Sequence, residues 1–183
     1  MPLELTAEWA AVIVAAIIGV ATVWVAISTT GKQVKHARSL AIIDAKRAAY
    51  SEFMAALNVP FRGVTSMRDL DEFNAVSTAA AVRVSLSGAP NSIQRIAGLA
   101  HIATNEMMHA MLENENRIPR EIGSTAGNVN QVLNVLMIAD LNETLDKKMV
   151  EQAGASASNY AKLLKLKYPR AAKLLDTFVD PRG

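Results

Sequence analysis

The side chains of this 183-residue chain that can do chemistry together are few, and the best placed are Glu106 and His109. They form an E-x-x-H pair on a stretch of helical periodicity, with His101 and Asn105 on the preceding turns of the same face. A carboxylate and an imidazole at i and i+3 can reach one metal ion. A di-iron bundle needs two such pairs plus a carboxylate from each of two other helices. The sequence contains one pair, and Glu52 is the lone carboxylate an earlier helix can add. The metal-binding bundle is therefore the weaker alternative, with Glu106 and His109 as its ligands. Neither G-x-S-x-G nor G-x-x-x-x-G-K-[ST] occurs, and residues 123–127 lack the lysine of a phosphate loop. With no cysteine there is no thiol nucleophile, disulfide scaffold or zinc ribbon. The expectation is a non-enzyme without catalytic residues or a cofactor.

A second group of residues is cationic. Lys162, Lys165, Lys167, Arg170 and Lys173 lie between Glu151 and Asp176 with no acid among them, interleaved with Tyr160, Leu163, Leu164 and Tyr168. The net charge of only +2 conceals this unevenness. A basic amphipathic piece suits an anionic membrane surface, and nucleic acid is the less favoured partner. Met107, Met108 and Met111 add a soft, adaptable patch that can either bind a partner or fill a core.

The elements that position these groups begin with residues 9–27, nineteen residues without a charge, amide or proline. As a helix this run is roughly 28 Å long, close to the ~30 Å hydrocarbon core of a bilayer. Glu4 and Glu8 precede it, whereas Lys32, Lys35 and Arg38 follow it. A cleaved signal peptide would need a basic leader. The positive-inside rule instead predicts an uncleaved anchor in the cell membrane, its N-terminus outside and its C-terminal domain cytoplasmic. Trp9 and Trp24 suit the two interfaces. Ala11, Ala15, Gly19, Thr22 and Ala26 form a small-residue face on which two such helices can pack, so self-association is expected.

After the anchor, Leu40, Ile43, Arg47, Tyr50, Met54 and Leu57 recur at coiled-coil-like spacing. Four more helical stretches follow. One runs from Thr65 to about Ser87 and contains a strand-like alternation at Val82, Val84 and Leu86; the next is capped by Asn91 or Ser92 and ends near Glu113. A long connection spans 114–127, a fourth helix occupies roughly 124–141, and Asn142 or Thr144 can cap a fifth. Pro169 starts a short final turn through Phe178. The expected fold class is all-α: one transmembrane helix, a basic stalk and a cytoplasmic bundle of about four to five helices. By residue number this gives a tail at 1–8, the anchor at 9–27, the stalk at 28–58, the bundle at 59–168 and a basic end at 169–183.

The order of acidic tail, span, basic stalk with Ala45-Lys46-Arg47-Ala48-Ala49-Tyr50-Ser51-Glu52-Phe53, and helices with Val82-Arg83-Val84-Ser85-Leu86-Ser87-Gly88-Ala89-Pro90 resembles small single-pass, membrane-anchored helical proteins of actinobacteria and their phages. The resemblance covers roughly residues 9–140 and transfers no functional residue. It implies a role such as phage-type defence or exclusion at the envelope. The residues themselves point to a scaffold or adaptor whose partners are the lipid bilayer, another copy of the chain and a protein not identifiable from the sequence. An oligomeric membrane assembly or pore-forming factor is the first alternative.

Overall fold

The computed structural model describes the backbone of residues 7–178 and the side chains of residues 30, 33–60 and 63–176. Among these residues the fold is all-α, with six helices and no strand. They are α1 (Ala7–Asn58), α2 (Met67–Leu86), α3 (Asn91–Glu113), α4 (Arg120–Leu141), α5 (Lys147–Lys167) and α6 (Pro169–Phe178). Residues 9–27, with the small-residue face Ala11, Ala15, Gly19, Thr22 and Ala26, lie outside the described side chains. Among the described residues no helix is long and apolar enough to cross a membrane.

The chain divides into two compact units, Met1–Ile42 and Ile43–Gly183. In the first, the described side chains are exposed, Val34, Leu40 and Ile42 included. The second begins inside the expected stalk and takes in part of its coiled-coil-like seam. Tyr50, Phe53 and Leu57 are buried in this unit's own core. The lower half of the seam is thus already covered from within the chain, while Arg47 points outward and pairs with Asp44 at 3.1 Å.

Helix α2 starts where a capping box dictates. The Ser66 hydroxyl accepts from the Asp69 N–H at 3.3 Å, and the Asp69 carboxylate accepts from the Ser66 N–H at 2.9 Å. The alternation at Val82, Val84 and Leu86 resolves as helix, because Val84 continues the longer buried stripe Leu70, Phe73, Ser77 and Ala80 while Val82 and Leu86 face outward. A seven-residue repeat over five positions outweighs three alternating residues.

The connection expected over 114–127 shrinks to 114–119. Proline fits the start of a helix because its φ is preset and its missing N–H costs nothing there, so α4 begins directly after Pro119. Fully buried Ile122 holds the first turn to the core. Gly123 suits that turn, since a Cβ there would push the half-exposed Ile118 side chain aside. Asn116, at φ 64°, accepts the Val64 N–H on its side-chain oxygen at 2.9 Å and so ties this connection to the one preceding α2. The cap of α5 is Asp146, whose carboxylate accepts the Met149 N–H at 2.7 Å. The expected caps Asn142 and Thr144 instead close the end of α4 through their backbone N–H groups.

Helix α3 is the centre of the unit and packs against α2, α4, α5 and α6. It is buried on most of its circumference, with Ala97, Gly98, Ala100 and Ala103 allowing close approach. Met107, Met108 and Met111 are all buried, so they fill the core and do not form an open binding surface.

The last turns of α1 are fastened to the end of α4. Lys46 donates to both Asp140 oxygens at 3.1 and 2.8 Å, and the Tyr50 hydroxyl donates to one of them at 2.6 Å. Burial, reinforced by the adjacent carboxylate, pushes the Tyr50 hydroxyl far above its ordinary range, so it remains a donor at every physiological pH. Tyr50→Phe should cost about 1 kcal/mol, one hydrogen bond to a charged acceptor. Asp140→Ala should cost about 3 kcal/mol, because Lys46 and Tyr50 both lose their partner in a site that is mostly closed to water. Chemical denaturation of the single and double variants checks this, and near-additive losses would show that the two contacts do not form one unit.

Candidate functional site

The polar residues singled out on α3 become a ladder whose rungs are other helices. Ser77 is fully buried on α2, and its hydroxyl donates to the Phe73 carbonyl at 2.5 Å. A hydroxyl has one proton, so at the 2.9 Å contact with His101 Nδ1 its oxygen accepts. This assigns the proton of the neutral ring to Nδ1. The imidazole also stacks on Phe73, centroids 5.5 Å apart and planes 10° from parallel. Burial lowers the His101 pKa, which keeps the ring uncharged. One helical turn on, Asn105 donates its side-chain N–H to the Asn74 carbonyl oxygen. The ladder climbs α3 as it descends α2, which defines the two helices as antiparallel.

A serine within reach of a histidine is the start of a nucleophile–base pair. Here the geometry opposes that chemistry. The serine proton is committed to a backbone carbonyl, its oxygen is closed to solvent, and among the described residues no carboxylate bonds to the ring. The pair locks α2 to α3.

Glu106 faces α6, where its carboxylate accepts the Ala171 backbone N–H. Its pKa is raised, first by burial and further by the Glu113 charge, with Arg170 and the Ala171 bond pulling the other way. His109 is lowered by burial and by the Arg170 guanidinium. A fixed positive charge close to both candidate ligands, itself held by Glu113 at 2.8 Å, competes with any cation they would share. Glu52 is drawn elsewhere, into an ion pair with Arg83. Among the described residues no three His, Asp or Glu side chains come together as a metal site.

The C-terminal cations are placed on α5 and α6, and three of the five have acidic partners from the same chain. Lys165 pairs with Asp176 at 2.5 Å, Lys167 with Glu121, and Arg170 with Glu113. Lys162 and Lys173 make no ion pair among the described residues. Exposed pairs of this kind add little stability, but they weaken the field that the bare sequence of charges suggests. The acids responsible, Glu113 and Glu121, come from α3 and α4, and no local pattern announces them. Two further buried side chains carry no signal in the sequence: among the described residues, neither Thr104 Oγ1 nor either Asn130 side-chain head atom has a hydrogen-bond partner.

No family model, curated protein or solved structure matches this chain. The resemblance to anchored actinobacterial and phage proteins gains no support from them.

The two shifted groups on α3 bias stability in opposite directions with pH. Glu106 has a folded pKa above its ordinary 4.5, so its contribution is fully present below that value and is lost as pH rises through the folded pKa. Glu106→Gln should therefore melt a few degrees above the parent at neutral pH, with the gain vanishing below pH 4.5. His101 has a folded pKa below its ordinary 6.5, so its contribution is present above that value and lost as pH falls. His101→Asn should cost about 1–2 kcal/mol at alkaline pH. It should also flatten the loss of stability on acidification, His109 accounting for part of the slope that persists. Melting curves taken across pH measure both, and a Glu106→Gln variant less stable than the parent at neutral pH would reverse the first assignment.

Proposed function

We propose that this chain is a non-enzymatic adaptor or scaffold, held at the cell membrane by residues 9–27, with its N-terminus outside and its helical unit in the cytoplasm, where it engages a protein partner. The observation that carries the reading is α1 itself. One helix, Ala7–Asn58, contains both the uncharged run and the residues Tyr50, Phe53 and Leu57 that enter the core of the second unit. An element with a lipid-soluble stretch and a core-forming stretch suits a tether for a folded domain. The exposed cations Lys35 and Arg38 follow the run on the side that the charge rule assigns to the cytoplasm. The buried, fully committed Ser77–His101 pair and the guanidinium beside Glu106 and His109 argue for binding over catalysis. Within this reading, phage-type defence or exclusion is the role that the resemblance adds.

Self-association of the span through Ala11, Ala15, Gly19, Thr22 and Ala26 belongs to the same proposal, and the exposed Val34, Leu40 and Ile42 favour its extension along α1. Contact of Lys162 and Lys173 with the anionic leaflet would be a weaker, salt-sensitive addition. The full chain should remain in the membrane fraction after alkaline extraction, and a reporter fused after Gly183 should be active only in the cytoplasm. Release into the alkaline supernatant would remove the anchor, and a reporter active only outside would invert the topology. Gly19→Ile should lower crosslinking between copies without releasing the protein from the membrane, and an unchanged yield would dismiss the span as the association surface.

A further inference from the structure

A cavity of about 410 Å³ lies between the first half of α3, the middle of α5 and α6. Its floor is apolar, made by Ile96, Leu99, Ile102 and Leu175, all buried. Its wall on α5 is made of small residues, Gly154 and Ala157 among them. Gly154 is the telling one. A glycine in mid-helix costs about 1 kcal/mol relative to alanine, and a Cβ at this position would meet nothing within 4 Å. The helix therefore carries its weakest residue at an exposed position on the cavity's rim, where a larger side chain has room to stand.

The polar end of the cavity has one sign of charge. Arg95 lines it, no acidic residue does, and Arg95 makes no ion pair among the described residues. The first turn of α3 is alongside, represented in the lining by Ser92, and the residue capping that turn is Pro90, which offers no side-chain acceptor to the turn's N–H groups. A guanidinium next to an uncapped helix start favours an anionic head group. The volume falls in the lower part of the range of roughly 300–1,000 Å³ found for small-molecule sites. That suits one alkyl chain, not the pair carried by a bilayer lipid.

We propose that this cavity binds a free medium-chain alkyl carboxylate, its chain laid along Ile96, Leu99, Ile102 and Leu175 and its carboxylate on Arg95. An apolar floor with a single cation at one end matches the two halves of such a molecule, favours it over a neutral alkyl chain by the one charged contact, and offers a purely ionic ligand no apolar complement. The inference stands independently of the membrane reading, because every lining residue lies between Ser92 and Leu175 in the second unit.

The test titrates the full chain in discs of neutral phosphatidylcholine, with empty discs as the blank and decanoate, decanol and inorganic phosphate as probes. Decanoate should bind saturably, one per chain. Decanol should bind about tenfold more weakly for want of the charge-assisted contact, and phosphate should not compete. Arg95→Gln should weaken decanoate about tenfold and leave decanol unchanged. Gly154→Leu should abolish binding of both while the melting temperature holds or rises. Arg95→Gln decides the matter alone if the Gly154 variant loses its melting transition. Equal affinity for decanoate and decanol, displacement of decanoate by phosphate, an Arg95→Gln variant that binds as the parent does, or no saturable binding would each overturn the proposal.

Discussion

The burial of α3 governs the second unit. A helix enclosed by four neighbours has little water-facing surface, so a polar group on its buried faces must find a partner on an adjacent helix or remain unsatisfied. Ser77 answers His101, Asn74 answers Asn105, and the backbone of Ala171 answers Glu106. These contacts select register. A slip of α2 against α3 by one turn would separate both side-chain pairs at once, whereas the surrounding alanines and methionines would tolerate it. Apolar burial supplies the drive to pack, and the polar ladder selects one packing out of several.

Ionised groups follow the same rule of partners at the periphery. Asp140 gathers Lys46 and Tyr50, and Glu113, Glu121 and Asp176 draw in three of the cations that a linear reading counts as available to a membrane. The pairs join α1 to α4, α3 to α6, α4 to α5 and α5 to α6, so the same charges that set the surface potential also mark where helices meet.

The helices themselves are legible because their apolar stripes repeat locally. The stripe of α2 from Leu70 to Val84, the end of α3 at Glu113 and the short α6 from Pro169 all follow from spacing and from proline. The start of α4 is misplaced by the sequence because glycine at 123 and 127 looks like loop, although a helix tolerates both and Gly123 leaves room for the Ile118 side chain. The seam of α1 is visible, but its partner is not: periodicity reports that a face is buried and is silent on what buries it. For the same reason E-x-x-H stands out at Glu106 and His109 while Arg170, a charge that acts on both beside their burial, lies three helices further along the chain.

The fastening of α1 to α4 has a further consequence for the order in which the molecule is made. Lys46 and Asp140 are 94 residues apart in the chain. Synthesis runs from the N-terminus at about 5–20 residues per second, so several seconds separate the emergence of Lys46 and Tyr50 from that of the carboxylate they share. Until then the ammonium of Lys46 and the hydroxyl of Tyr50 have no native acceptor on α4 and are paired with water. The helix that emerges first thus receives this fastening only when the end of α4 has been made.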